Sequence, residues 1–158
     1  MAIADLFPST DAVLRLAPAN KAELLGMLAQ KAASSLARPE DEVREALEER
    51  EQLGSTALGR GVAMPHARME GIAGPSVILA RLDRPIDFDA RDGEPVDLVF
   101  SVVWPAASPE GFLPALSGIC KALRVPQLTK RLRQAKSADE ALALLREAED
   151  GEGLADAE

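Results

Sequence analysis

Apolar residues recur at helical spacing near the start of the chain. Four-residue steps separate Leu24, Leu28, Ala32 and Leu36. This spacing predicts an amphipathic helix from Lys21 to about Ala37. Asn20 belongs to the residue types that cap helices, and Glu23 stands three residues later in the capping-box position.

A second helix is predicted over about 39–53. Pro39 precedes two acidic residues, as is typical of a first helical turn. The apolar stripe of this helix consists of Val43, Ala46, Leu47 and Leu53. Arg50 falls on the same inward face, where a guanidinium is costly unless an anion pairs with it. Arg50 is therefore expected either to reach solvent or a structural carboxylate, or to bind a phosphate group.

Three further segments have strand character. Residues 12–17 alternate enough for a short strand, which Pro18 ends. Ser76–Leu82 predicts a second strand, and residues 83–85 (Asp-Arg-Pro) are expected to end it. Val96–Trp104 is apolar at nearly every position, which predicts a strand buried on both faces of a sheet.

The last third of the chain predicts three helices. The first begins near Ser108 and tolerates Pro114 only in its first turn. Its apolar stripe is formed by Leu113, Leu116, Cys120 and Leu123. Pro126 starts a short helix with the basic residues Lys130, Arg131 and Arg133. The capping box Ser137–Glu140 opens a last helix that ends near Ala148.

The order of these elements and a length of 158 residues predict one α/β domain with a mixed sheet and packed helices. The net charge is −8, but residues 147–158 hold six acidic and no basic residues, which leaves residues 1–146 at −2. We therefore expect a domain over 1–148 and an acidic, disordered tail over 149–158. Nucleic acid binding is disfavoured because the chain has no broad basic stripe.

The sequence also indicates where in the cell the protein is expected and which metal sites it cannot form. The N-terminus lacks the features of a signal peptide, and Val96–Trp104 is much shorter than the roughly 20 residues of a membrane span, so a cytoplasmic protein without membrane insertion is expected. One cysteine and one histidine cannot supply the roughly four ligands of structural zinc. The acidic residues between 83 and 97 lack the spacing of a calcium loop and are expected to form turns. No metal and no cofactor is predicted.

The richest stretch for chemistry is Gly54–Arg68, GSTALGRGVAMPHAR. It contains three of the eleven glycines and the only histidine, His66. Pro65 stiffens the backbone immediately before the imidazole, and the glycines allow tight bends beside it. A neutral imidazole has one ring nitrogen with a lone pair, so His66 is a candidate nucleophile.

Two other functions, nucleotide binding and serine-triad catalysis, are not supported for this stretch. Residues 54–61 have the spacing of a P-loop, but arginine and glycine replace its lysine and hydroxyl residue, and Pro65 argues against the helix that should follow. ATP binding is therefore rejected. No G-x-S-x-G motif supports a serine triad with His66.

The pattern RE-x-LGST-x-x-x-x-GVA-x-PHAR resembles the active-site signature of the type 2 (fructose/mannitol class) IIA domains of the bacterial phosphoenolpyruvate-dependent phosphotransferase system. It is most similar to the nitrogen-regulatory IIA branch of this family. The stretches PIDFDARDGEPVDLVF and KALRVPQLTKRLRQAKSADE extend the resemblance over about residues 5–148.

This resemblance implies a three-layer α/β/α fold and a phosphocarrier, rather than a turnover enzyme. His66 matches the histidine that is phosphorylated on Nε2 by a small histidine phosphocarrier protein, and Arg50 matches the arginine beside it. In-line transfer between two imidazoles depends on positioning and charge stabilisation. Regulated target proteins are the expected partners of the nitrogen branch, and a homodimer is compatible with the sequence.

One departure from the family keeps alternatives open. A second histidine is common in the stretch that here reads Phe112–Leu116, and this chain has none. Phe112 and Pro114 cannot replace its hydrogen bond. Besides the regulatory phosphocarrier, two hypotheses therefore stand: a sugar-uptake component that passes phosphate to a IIB domain, and an interaction module that is not phosphorylated.

Overall fold

The computed structural model describes residues 3–7 and 9–157, and for Ala4 and residues 149–157 it describes the backbone alone. The chain forms two compact units. Leu14–Pro109 is called the sheet unit, and Met1–Val13 together with Glu110–Glu158 is called the helical unit.

Two helices of the sheet unit lie where the sequence predicts them. Helix α1 spans Lys21–Leu36, and the Asn20 side chain accepts the N–H of Glu23 at 2.9 Å, which confirms the predicted cap. Helix α2 spans Glu40–Gln52 and follows Pro39. The apolar faces of both helices pack against the sheet in one core, in which Leu24, Leu28, Val43 and Leu47 have no exposed surface.

Six strands form one mixed sheet, which confirms the predicted α/β class. They are β1 (Val13–Leu16), β2 (Ala57–Gly59), β3 (Val62–Ala63), β4 (His66–Met69), β5 (Ser76–Ile86) and β6 (Val96–Pro105). Their order is β1-β5-β6-β3-β2, and β4 also pairs with β6. Strand β5 runs antiparallel to β6, whereas β3 and β4 run parallel to it.

The two long strands differ in how well the sequence predicted them. Strand β6 is buried at every position except the half-buried Asp97, as predicted. Strand β5 continues to Ile86, so the expected end at residues 83–85 was wrong. Its register with β6 shifts between Arg81 and Ile86, and Pro85 is tolerated in this irregular, exposed part of the strand.

Strands β2, β3 and β4 were not predicted. Arg60 and Gly61 join β2 to β3 and both have positive φ, 56° and 81°, as a two-residue type I′ hairpin turn requires. Strands β3 and β4 pair with successive parts of β6, from Val62 opposite Leu98 to Met69 opposite Pro105. Both strands therefore run in the same direction along β6, with an interruption at residues 64–65.

The helical unit contains α3 (Phe112–Ala122), α4 (Leu128–Gln134) and α5 (Ala138–Ala157). Pro114 lies in the first turn of α3, as expected. The predicted apolar stripe of α3 was wrong by one position, because the buried residues are Phe112, Ala115, Ile119 and Ala122. Both faces of this helix carry apolar residues at helical spacing, so periodicity alone could not choose between them.

Helix α5 begins at the predicted cap, where the Ser137 hydroxyl accepts the N–H of Glu140 at 3.1 Å. It runs to Ala157, beyond the expected end near Ala148. The side chains of residues 149–157 and the whole of Glu158 lie outside the described part, so the domain boundary and the disordered tail stay predictions. Within the described residues, no helix combines the length and the apolar character needed to cross a membrane.

The orientation of α3 can be tested by truncating one residue on each face. Ile119 is fully buried and Leu113 is 71% exposed. Ile119→Ala should lower the free energy of unfolding by roughly 2–5 kcal/mol through lost burial and a cavity. Leu113→Ala is the matched control and should change it by less than about 0.5 kcal/mol. Urea denaturation followed by circular dichroism measures both values, and equal losses would contradict this orientation.

Candidate functional site

The candidate site is built in the sheet unit by the segment that leads from the end of α2 to the start of β4. Arg50 lies in the last turn of α2, and His66 is the first residue of β4. Between them the chain forms a short loop, the β2–β3 hairpin and the interruption at Met64 and Pro65. The pairing of β3 and β4 with β6 therefore fixes where the histidine lies.

The backbone before His66 orients its ring. His66 Nδ1 lies 2.8 Å from the carbonyl oxygen of Met64, which can only accept, so Nδ1 carries the proton. In the neutral ring the lone pair is then on Nε2. The N–H of Met64 donates to the Thr56 carbonyl at 3.0 Å, and the Pro65 carbonyl accepts the N–H of Val102 at 2.9 Å. The orienting carbonyl is thus held from both sides.

The imidazole is half-buried, and its environment favours the neutral form. Burial lowers the pKa of His66 below its ordinary value, and the positive charge of Arg50 lowers it further. The hydrogen bond to Met64 and the negative charge of Glu51 act in the opposite direction. The ring is therefore neutral and nucleophilic at pH 7.

Arg50 lies on the face of α2 that the sequence predicted, half-buried and close enough to act electrostatically on His66. Its guanidinium donates to the Gly54 carbonyl at 3.0 Å. Among the described side chains, which end at residue 148, Arg50 forms no ion pair with a carboxylate. The alternative of a structural carboxylate partner is therefore not supported. The predicted apolar neighbour Leu53 was wrong, since it follows the end of α2 and is 84% exposed.

Sequence reasoning missed Glu51, a carboxylate on the core-facing side of α2. Its side chain is only 5% exposed. Lys21 Nζ lies 2.9 Å from Glu51 Oε2, and the hydroxyl of Thr56 donates to Oε1. The i, i+4 spacing from Val43 and Leu47 to residue 51 is the signal that could have found it.

The loop between β5 and β6 supports the same segment. The Ser55 hydroxyl donates to the Phe88 carbonyl at 2.7 Å, and the N–H of Arg60 donates to Asp92 Oδ2 at 2.9 Å. The backbone N–H groups of Arg60 and Glu94, which both donate to the Asp92 carboxylate, lower the pKa of Asp92. Asp87 likewise accepts the N–H of Asp89. Asp92 lies in a turn, as the sequence predicted. The prediction was wrong for Asp83 and Asp97, which lie in β5 and β6.

The structure thus brings together both predicted site residues, His66 and Arg50. Gly59 and Gly61 lie in the β2–β3 hairpin, and β3 and β4 follow where a P-loop would lead into a helix. The stretch Phe112–Leu116, where the resemblance places a second histidine, forms the start of α3 in the helical unit.

Comparison with known proteins gives the same family at the level of sequence. The family model described as "Phosphoenolpyruvate-dependent sugar phosphotransferase system, EIIA 2" matches residues 6–148. A nitrogen regulatory protein of Bradyrhizobium diazoefficiens is 39% identical over 145 residues, which cover 92% of this chain and 95% of that protein.

Solved structures share the fold. The nitrogen regulatory protein IIA-Ntr from Neisseria meningitidis aligns with a TM-score of 0.83 at 30% identity, over 87% of this chain and 94% of its own. The mannitol IIA enzyme of Escherichia coli, solved in complex with phosphorylated mannitol IIB, aligns with a TM-score of 0.74 over 87% of this chain and 96% of its own. At 19% identity this second likeness concerns the fold alone.

The electrostatic coupling of Arg50 to the imidazole predicts a shift in titration. In wild type the pKa of His66 should lie below the ordinary value of about 6.5. Arg50→Gln removes a positive charge and should raise it, whereas Arg44→Gln, an exposed position on the same helix, should leave it unchanged. Because the chain has one histidine, NMR titration of the imidazole signals reads this site alone. Identical titrations of both variants would contradict the arrangement.

Proposed function

The chain belongs to the EIIA type 2 family of the phosphoenolpyruvate-dependent phosphotransferase system, and on that premise we propose that it is a regulatory phosphocarrier that takes its phosphoryl group on His66. The observation that carries this proposal is the Nδ1–Met64 hydrogen bond, which leaves the nucleophilic lone pair on Nε2. Its similarity to nitrogen regulatory proteins favours a regulatory role.

The transfer is a substitution at phosphorus. The Nε2 lone pair attacks the phosphoryl group on the histidine of the donor, and the N–P bond of the donor breaks. The electron pair of that bond returns to the donor ring. The proton stays on Nδ1 of His66 and donates to the Met64 carbonyl, which stabilises the positive charge that grows on the ring as the new bond forms.

Arg50 supplies the charge stabilisation in this proposal. A guanidinium can grip two phosphoryl oxygens at once, and the Gly54 carbonyl holds this one in the last turn of α2. The absence of a carboxylate partner among the described residues suits a group that awaits a dianion. Positioning and electrostatics of this kind account for most of the catalysis in phosphoryl transfer.

The proposed partners follow from this chemistry. The donor is a small histidine phosphocarrier protein, and the readers of the phosphorylated state are regulated target proteins in the cytoplasm. The complex of the structurally similar mannitol enzyme with a phosphorylated IIB protein indicates a second kind of partner for this fold. Transfer onward to a IIB domain is therefore the alternative role.

Phosphorylation can be tested by reconstitution. Incubation with phosphoenolpyruvate, the first enzyme of the system and the small carrier should give an acid-labile, alkali-stable phosphate on the wild type and none on His66→Ala. No other histidine can accept it.

The same assay separates the remaining roles. Discharge of the labelled protein onto a IIB domain would favour sugar uptake over regulation. A wild-type protein that takes no label would refute the phosphocarrier and leave the unphosphorylated interaction module.

Arg50 should control the rate of this reaction. Arg50→Gln should slow phosphoryl acceptance by about 100-fold, the usual effect of removing one donor that stabilises a transition state. Arg44→Gln is the matched control and should react at the wild-type rate, since Arg44 is exposed and pairs with Asp41 and Glu48 of its own helix. Rapid quenching with labelled carrier measures the rate. Equal rates for the two variants would exclude a role for Arg50.

A further inference from the structure

We propose that Glu51 is a positioning residue whose buried carboxylate fixes both the imidazole of His66 and the loop that holds Arg50. The effect of Glu51 on phosphoryl transfer rests on the proposed function of His66. The positioning of the imidazole ring by Glu51 does not. It explains why a carboxylate occupies the core-facing side of α2 next to a nucleophilic histidine.

The carboxylate of Glu51 is held by three donors. Lys21 Nζ lies 2.9 Å from Oε2, the N–H of Thr56 lies 3.3 Å from the same oxygen, and the Thr56 hydroxyl donates to Oε1. Lys21 also lies 4.4 Å from the ring centre of Phe88 and 3.4 Å from Asp89 Oδ2. Lys21, at the start of α1, therefore contacts both this carboxylate at the end of α2 and the β5–β6 loop.

Hydrogen bonds lead from this carboxylate to the histidine without a break. Glu51 binds the side chain and the N–H of Thr56, and the Thr56 carbonyl accepts the N–H of Met64 at 3.0 Å. The Met64 carbonyl accepts Nδ1–H of His66 at 2.8 Å. A displacement of Thr56 would therefore move the carbonyl that sets the tautomer of the ring.

A second connection leads to Arg50. Glu51 binds Thr56 and so fixes the far end of the loop that starts at the end of α2. Gly54, in the middle of this loop, accepts the Arg50 guanidinium at 3.0 Å and bonds through its own N–H to the Glu51 carbonyl at 3.1 Å. The nucleophile and the phosphate-binding cation thus share one anchor.

The charge of Glu51 has an electrostatic role that an apolar residue could not fill. Arg50 suits phosphate but makes the imidazole less basic, whereas Glu51 acts on the ring with the opposite sign. Lys21 pairs with both Glu51 and Asp89. Glu51 thus offsets part of the effect of Arg50, and Nε2 of His66 stays nucleophilic next to the guanidinium.

The test compares two glutamates of α2 by ring NMR. Glu51→Gln removes the charge and the strong acceptor, and Glu49→Gln makes the same change at an exposed position. Glu51→Gln should lower the pKa of His66 and populate the tautomer with the proton on Nε2, as read from the ring ¹⁵N shifts. It should also slow phosphoryl acceptance by about 10-fold or more. Glu49→Gln should match wild type in every measurement.

A second pair of variants keeps the proposal testable if Glu51→Gln does not fold. Thr56→Val keeps the shape and the charge pair but removes the hydroxyl donor, and Thr56→Ser restores a hydroxyl. Thr56→Val should shift the tautomer of His66 and slow transfer, and Thr56→Ser should behave as wild type. If the role of Thr56 were purely structural, the ring signals of His66 would not change in Thr56→Val and return to wild type in Thr56→Ser.

The outcomes separate this inference from the proposed function. Ring signals of Glu51→Gln or Thr56→Val that match wild type overturn the positioning role, whatever the transfer rates. A wild-type protein that accepts no phosphate, with ring signals that shift as expected in the variants, refutes the phosphocarrier and leaves Glu51 as the residue that positions His66.

Discussion

The hydrogen bond between Nδ1 of His66 and the Met64 carbonyl is the contact on which the chemistry of this site depends. It places the ring proton on Nδ1 and the lone pair on Nε2. Its geometry is set by the sheet, because Pro65 and the residues after His66 are bonded to β6. A strand therefore orients the reactive ring more rigidly than a free loop could.

Around this ring the structure balances two opposing electrostatic requirements. Holding a phosphoryl group needs a cation nearby, yet a cation lowers the basicity of the attacking nitrogen. Arg50 and Glu51 are consecutive residues whose charges act on the imidazole with opposite signs. The cost of burying the Glu51 carboxylate is offset by Lys21 and by both donors of Thr56.

Local patterns predicted much of the fold and part of the site. The Asn20 cap and the start of α2 depend on residues close in sequence, and both were correct. The hairpin before His66 was missed because its strands have two or three residues, too few for a period. Glu51 has the helical spacing of the buried face of α2, but a carboxylate is not expected on that face without a partner. The partner, Lys21, lies thirty residues earlier, and no local pattern shows this contact. The motif and the helical face predicted His66 and Arg50 as site residues, and the structure places them close enough to interact electrostatically.

Phosphorylation of His66 would act on this site locally. The outward face of α2 already exposes acidic residues, among them Asp41, Glu45 and Glu49. On the proposed function, a phosphoryl group would add a charge of about −1.5 to −2 at His66. Lys21 is already paired with Glu51 and Asp89, whereas Arg50 donates to a backbone carbonyl and has no carboxylate partner among the described side chains. Arg50 is then the cation next to His66 that can bind the added charge, and a partner that reads the phosphorylated state would meet an occupied guanidinium in the last turn of α2.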